Sequence, residues 1–558
     1  MKNVESMIQE SIRRAAIRCG LDAEVLDKVL AGAELSYPKQ KQLGDLASNA
    51  AMVLGKKIKQ NPRELSEKIL GALELDPAVV QRAVTAGAGF INFTLSSSFY
   101  LEVLSRVLRE GKRYGRSDAG GGKKTQVEFV SANPTGPLTI GHGRQAVIGD
   151  TIARLLEATG HSVVREYYFN DAGRQMRVLA ESVLFRYREL LGETIEFPTD
   201  HYQGEYIRDI ARLVRKEKGE SLQKDAALEL FQKYAETVIF KDIQKTLLRL
   251  GIRFDVYTNE KSLYESGKVD EVIRLLREKD LAYEHDGAVW FRTTKLGMDQ
   301  DRVIIKSTGE PTYRLPDIAY HKEKMDRGFD LVVDIFGADH IATYPDVLAG
   351  LSALGYDPSK VRVLIHQFVT LVEGKAKVKM STRKANFVTL DELMDEVGPD
   401  VTRYFFLQRS MSSHLNFDLT LAKTQSDENP VYYVQYAHAR ICSILRHAKE
   451  QGICPDAAAD LSLLSAPEEA DLIKWLWTFP RTVYEAAFSY EPQRIPTYLE
   501  DGATVYHRFQ HAGKRDPALR VVTDNIPLSQ ARLALCMAVR TVLANGLDLL
   551  GISKPEKM

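Results

Sequence analysis

The stretch "ANPTGPLTIGHGRQAVIGD", Ala132 to Asp150, crowds two prolines and three glycines around Thr139 and His142, then begins a helical pattern at once. An extended run, "QVEFVSA", leads into it. A second, "HSVVREYYFND", follows the helix expected over about Gly143 to Thr159. Strand, helix and strand in that order make a βαβ unit and predict a parallel sheet. A helix starting directly after a buried strand offers unsatisfied N–H groups and the positive end of its dipole, a natural seat for phosphate. Gly141 and Gly143 carry no Cβ to obstruct a ligand near the backbone. His142 can donate a hydrogen bond to an oxygen that gains charge in a transition state, and one such donor is worth ~2.7–4 kcal/mol. Taken alone, the same residues also describe a tight turn closed by a capping histidine.

The remainder of the chain divides around this unit. At 558 residues it exceeds one ordinary core, so several domains are expected. Apolar residues make up 44% and charged residues 27%, as in soluble globular proteins. The 75 basic and 75 acidic residues balance, so net charge neither demands nor excludes a polyanionic partner. Cys19, Cys442, Cys454 and Cys536 are scattered, which fits a reducing compartment, and no metal-ligand set is assigned. We read no apolar run approaching the ~20 residues that cross a bilayer. The charged, amphipathic N-terminus lacks the pattern of a leader. A cytoplasmic protein without membrane contact is expected. Residues 1–112 read as an α+β unit, followed by a Gly-rich linker, Arg109 to Thr125. Residues 113–430 read as α/β with a helical insertion at about 175–250, and strand signals return at "VIIKS", "DLVVDIFGADH" and "VRVLIHQFVTLVEG". From 431 to 558 the pattern is helical throughout.

A second chemical signal lies far downstream, in "GKAKVKMSTRKANFVTLDEL", Gly374 to Leu393. Lys375, Lys377, Lys379, Arg383 and Lys384 surround Met380 and Ser381 without an apolar period, and mobile lysines suit triphosphate oxygens. By itself this is equally a solvated basic loop. Together and in this order, "TIGH" (Thr139 to His142) and "KMST" (Lys379 to Thr382) resemble the paired HIGH and KMSKS signatures of class I aminoacyl-tRNA synthetases. The segments "VEFVSANPTGPLTIGHGR", "LYESGKV", "PTYRLPDIAYHKEK", "DIFGADH", "NPVYYVQYAHARICSILR" and "GLDLLGISKPEKM" resemble arginyl-tRNA synthetases along essentially the whole chain. Two positions depart from the signatures: Thr139 replaces the first histidine of HIGH and Thr382 the second lysine of KMSKS, for which Arg383 or Lys384 is the expected stand-in.

The resemblance implies an α/β protein with a Rossmann-like parallel-sheet catalytic domain and helical insertion, an N-terminal α+β domain contacting tRNA, and a C-terminal all-α bundle binding the anticodon. It implies an arginine–tRNA ligase with ATP as substrate, Mg²⁺ held mainly by substrate phosphates, tRNA(Arg) and arginine as partners, and a monomer. His142, Thr139, Lys379 and Ser381 match the catalytic signature positions. Gly141, Gly143, Gly337, Asp339, His340, Gln367, Val369 and Lys379 match the ATP site. Glu128, Asn133, Tyr313, Asp317 and Glu260 match the arginine site, although the carboxylates are also readable as ordinary salt-bridge partners and Tyr313 as core. Tyr432, Tyr433, Tyr436, His438 and Arg440 are readable as a base-stacking surface or as a packed helix face. Two other functions fit parts of this pattern: a nucleotidyltransferase acting on a small acceptor, and a tRNA-binding synthetase paralogue without catalysis.

Overall fold

The computed structural model describes residues 4–30, 32–38, 40–171, 173–220, 222, 228–338, 341–374, 376–377, 388–456 and 459–558. Its chain forms two compact units. One comprises Met1–Tyr114, Ile444–Thr478 and Val505–Thr541; the other comprises Gly115–Ser443, Phe479–Thr504 and Val542–Met558.

The larger unit is built on a five-stranded, wholly parallel sheet. Its order is Val361–His366, Leu331–Gly337, Lys124–Glu128, Ser162–Phe169, Val256–Asn259. Val127, Val332, Val333 and Ile335 are buried, as expected when helices cover both faces. The chain first leaves Lys124–Glu128 through the helix Ile140–Ala158 towards Ser162–Phe169, and only much later adds Leu331–Gly337 on the other side. The strand order therefore reverses at Lys124–Glu128. In open α/β sheets the crevice at the carboxyl ends of the strands flanking such a reversal is where ligands bind.

The expected βαβ unit is present, with the helix beginning at Ile140, three residues earlier than its apolar pattern indicates. The insertion is helical over Arg174–Leu190, Glu205–Lys218 and Leu228–Arg249. Two strand readings change. "VIIKS" belongs to a separate antiparallel sheet of Ala282–His285, Ala288–Phe291 and Arg302–Ile305. "VRVLIHQFVTLVEG" breaks at Gln367: Val361–His366 closes the parallel sheet, whereas Val369–Glu373 pairs with Leu415–Asp418 and Ala376–Lys377. A run of β-branched residues cannot reveal such a break, because both halves are extended.

Helix Ile140–Ala158 is buried on almost every side, and small residues let it sit close. A Cβ at Gly149 would lie 2.2 Å from the Phe129 ring and one at Gly143 would lie 2.6 Å from Leu390. Buried Asp150 pairs with Arg403 (2.6 Å), which is itself buried and also donates to the Leu250 and Leu550 carbonyls. In the same unit, helix Pro430–Glu450 stacks Tyr432 on Tyr436 (centroids 6.3 Å apart, 5° between planes). Tyr436 and Arg440 are exposed, but His438 is buried and its Nδ1–H donates to the Pro555 carbonyl (2.9 Å).

The smaller unit holds an antiparallel sheet ordered Leu35–Ser36, Leu46–Ser48, Phe90–Leu95, Val80–Ala86. Its core gathers Ile8, Leu54, Ile69, Ile91 and Phe93, with Trp477 packed against it. Lys474 pairs with buried Asp45 (2.6 Å) and Arg532 with buried Glu469 (2.7 Å). Among the described residues no strand follows Asp418. The sequence reading of apolar runs is corrected in one place: helix Ile526–Leu550 is long and apolar enough to span a bilayer, but 72% of its most apolar window is buried in protein.

Replacing Arg403 by Met leaves the Asp150 carboxylate without its closest buried partner. Loss of one member of a buried pair costs about 3–5 kcal/mol, so the urea midpoint of the larger unit should fall accordingly, followed by far-UV circular dichroism.

Candidate active site

The site assembles where the strands end. Glu128 closes the central strand, Asn170 follows Ser162–Phe169, and Glu260 follows Val256–Asn259. Past Glu128 the chain is forced out of ordinary strand geometry: Val130 and Ser131 have φ of 69° and 41°, values a β-branched residue rarely adopts. The strain is held in place locally. The Ser131 hydroxyl donates to Glu128 (2.9 Å) and accepts from the Tyr168 N–H (3.2 Å). The Tyr167 hydroxyl donates to the Ala132 carbonyl (2.8 Å). Strained backbone secured from several sides is typical of functional sites.

Thr139 is the N-cap of the buried helix, and its backbone N–H donates to Nδ1 of His142 (3.2 Å). With Nδ1 accepting, a neutral ring carries its proton on Nε2. His142 thus serves as a helix cap through one nitrogen and keeps N–H character at the other, so the two sequence readings of this histidine hold together. The Thr139 hydroxyl lies 3.3 Å from the same Nδ1. Gly141 is open, since a Cβ there would meet only Thr139 Oγ1, at 3.7 Å. Gly143 has a packing reason instead, facing Leu390 and Phe406.

Beside the two strand ends lies an acidic cluster. Glu260, 6% exposed, accepts from the Tyr168 hydroxyl (2.9 Å) and the Asn170 amide (2.8 Å), and no ion pair to it is found among the described residues. Burial, opposed by the Tyr168 bond and reinforced by the charges of Asp317 and Asp171, pushes its carboxyl up to about 7. Asp317 stands in the first turn of helix Arg314–Asp326, and Tyr313 precedes that helix with 66% of its surface exposed. Asn133 accepts from the Asn170 N–H (3.2 Å) and donates to Gln175 (2.9 Å).

Glu128 is differently placed. Fully buried Lys324 bridges it (2.5 Å) to Asp334 (2.7 Å), tying the two strands at the reversal point. His321 meets the second Asp334 oxygen through Nε2 (2.9 Å). Burial raises the Glu128 carboxyl even against Lys324, whereas Lys324 and His321 overcome burial at Asp334 and hold it well below the usual range.

On the other side of the reversal, Gly337 ends its strand opposite His366. Asp339 and His340 lie outside the described residues, as do Lys379, Ser381, Arg383 and Lys384. The Gln367 N–H donates to the Met411 carbonyl (2.9 Å) and its carbonyl accepts from Arg144 (2.7 Å). Both backbone groups of Gln367 therefore have partners within the protein. Val369 is buried in the small sheet, and Phe368 between them is 63% exposed. Beyond the lysine segment the chain returns to the turn that enters the same helix: the Leu390 N–H donates to the Leu138 carbonyl (2.8 Å), and Thr389 forms an antiparallel bridge with Thr139.

Family models match along the chain: "tRNA synthetases class I (R), catalytic domain" over residues 103–405, "DALR anticodon binding domain" over 434–558 and "Arginyl tRNA synthetase N terminal domain" over 2–95. The chain belongs to the class I arginyl-tRNA synthetase family. It is similar to the arginine–tRNA ligase of Desulfotalea psychrophila, 52% identical over 558 residues covering 99% of this chain and 100% of that protein. The arginine–tRNA ligase of Salinibacter ruber is 49% identical, covering 94% and 96%. The solved structure of Thermus thermophilus arginyl-tRNA synthetase superposes with a TM-score of 0.78 at 25% identity, covering 99% and 100%. A family member with relatives named as ligases does not favour the non-catalytic reading.

Residues that sequence reasoning missed in this synthetase-family site are the ones that hold its shape. Tyr168 and Asn170 orient Glu260, Lys324 neutralises Glu128 and Asp334, and Arg144 grips the Gln367 turn. Arg144 alone left a trace in the sequence, as a charge directly after "TIGHG" at the start of the helical pattern. Replacing Lys324 by Met should cost about 3–5 kcal/mol at neutral pH, because two buried carboxylates lose their shared cation. Both would then bind protons more tightly folded than unfolded, so the variant's stability should fall as pH rises from 5 to 8. Denaturant titrations at several pH values check this.

Proposed function

We propose that this chain activates arginine with ATP and transfers the arginyl group to the 3'-terminal adenosine of tRNA(Arg). The acidic cluster carries this reading. Glu260 is a buried carboxylate fixed by neutral donors, Asp317 adds a second negative charge, and a guanidinium supplies the planar cation that pairs with both. Lysine has one point of charge and would leave buried acceptors unmatched, which is how sites of this type reject near relatives of their substrate. Tyr313, exposed at the helix start, fits as a lid on the guanidinium plane. Asn133 and Glu128 suit the α-amino end, with Glu128 already oriented by Ser131 and Lys324.

In the first step an arginine carboxylate oxygen bonds to the α-phosphorus as the bond to the pyrophosphate oxygen breaks, and pyrophosphate leaves. Positioning and charge stabilisation carry such a transfer. Nε2–H of His142 donates to the phosphate oxygen that gains charge, Gly141 gives the phosphates room at the helix N-terminus, and Thr139 fixes the ring. Gly337, Asp339, His340 and Val369 suit the adenosine, with Phe368 as an exposed aromatic face beside them. Lys379 and Ser381 reach the phosphates from a segment whose described ends support that approach. Lys379 is five residues past Gly374, and a chain spans at most about 3.6 Å per residue. Magnesium would accompany the nucleotide, held mainly by its phosphate oxygens, and would offset their charge. In the second step a ribose hydroxyl oxygen attacks the arginyl carbonyl and AMP leaves.

The domain roles follow the same reading: residues 1–112 meet the tRNA elbow and 431–558 the anticodon, where the stacked Tyr432 and Tyr436 and exposed Arg440 suit unstacked bases. We place the protein in the cytoplasm as a monomer.

Arginine- and tRNA-dependent ATP–pyrophosphate exchange, with aminoacylation of total tRNA by each of the twenty amino acids, tests the activity; exchange driven by another amino acid, or by none, overturns it. Asp317→Asn should raise the KM for arginine about 10- to 150-fold, the loss of one charge-assisted hydrogen bond. Because Glu260 titrates at about 7 and only its ionised form attracts the guanidinium, the KM for arginine should fall as pH rises through 7. Glu260→Gln should remove that pH dependence.

A further inference from the structure

Arg144 is the most unusual charge in the larger unit. It is fully buried, and no carboxylate pairs with it among the described residues. Its Nη1 donates to the carbonyls of Gln367 (2.7 Å), Ser413 (2.9 Å) and Phe368 (3.5 Å), and its Nη2 to that of Ser410 (3.0 Å). Burial lowers its pKa to about 10, so it remains charged at neutral pH. A buried cation satisfied only by carbonyls is costly to keep. What it supplies is geometry, since a planar fork of five donors can span several carbonyls from separate segments.

Those segments are the roots of one small sheet. Gln367 and Phe368 precede Val369–Glu373, and Ser410 and Ser413 precede Leu415–Asp418, its parallel neighbour. Val369–Glu373 leads through Gly374 into the lysine-bearing sequence. The far end of that sequence is bonded to the turn that enters the same helix, through Leu390 and Leu138. We propose that Arg144 is a positioning residue for adenylate formation. It sets the spacing between His142, two residues earlier on its helix, and the sheet from which the lysine-bearing segment departs. This rests on the activity proposed above.

The test compares the full-length protein with Arg144→Lys and Arg144→Met in ATP–pyrophosphate exchange, with tRNA present and ATP and arginine varied separately. A reacting group displaced by about 1 Å costs roughly 100-fold, so Arg144→Met should lose about that factor in kcat and raise the KM for ATP. The KM for arginine, set by Glu260 and Asp317 on other elements, should stay within about threefold of the unaltered protein. Arg144→Lys should recover part of the kcat loss. Unchanged kcat and ATP KM in Arg144→Met overturn the proposal. So do equal losses in the arginine and ATP constants, or failure of both variants to fold, which make Arg144 a stability residue only. Absence of exchange in the unaltered protein overturns the activity reading itself and is seen before any variant is made.

Discussion

The site depends on one constraint: helix Ile140–Ala158 is buried on nearly all sides, so every polar group it carries must find its partner inside the protein. Each partner lies on a different element. Thr139 bridges to Thr389, Arg144 holds the Gln367 and Ser410–Ser413 carbonyls, Gln145 donates to the Ile335 carbonyl, and Asp150 takes Arg403. The obligation to satisfy these groups converts an ordinary crossover helix into the hub that orients the carboxyl edge of the sheet. Two glycines allow it: a side chain at Gly149 or Gly143 would lift the helix off Phe129 or Leu390.

Charge is distributed at that edge in two contrasting ways. Glu128 and Asp334 share Lys324, which helps hold Asp334 ionised while burial still raises the Glu128 carboxyl. Glu260 has only neutral donors, and Asp317 and Asp171 add to its negative surroundings. Glu260, pushed up by burial to about 7, must release its proton before a cation can pair with it, so its attraction for one depends on pH near neutrality. The cluster around Glu260 and the helix N-terminus thus carry opposite local charge.

Much of this was legible in the sequence where a residue type has a single physical use. Glycines and prolines around Thr139 marked the turn, alternation of extended and helical periods marked the βαβ unit, and the insertion was visible as helical pattern inside an α/β region. What escaped were relations between distant residues. Nothing local to Lys324 says that it will sit between strands 124–128 and 331–337. Nothing local to Gln367 says that a strand-like run ends one sheet and begins another. Glycine misled in one instance: Gly141 and Gly143 look alike in sequence, yet one opens towards Thr139 and the other is filled by Leu390.

The departure at Thr139 illustrates how a signature can change without disturbing the chemistry next to it. The contact that fixes the His142 ring comes from the backbone N–H of residue 139, a donor every residue but proline supplies. A side-chain exchange there keeps this backbone donor and removes only the hydroxyl contact at 3.3 Å. Threonine also belongs among the better N-cap residues, so the substitution suits the helix start. The backbone contact to His142 is therefore independent of which side chain, other than proline, stands at residue 139. The two halves of the signature are physically separable, one resting on backbone and the other on side chain.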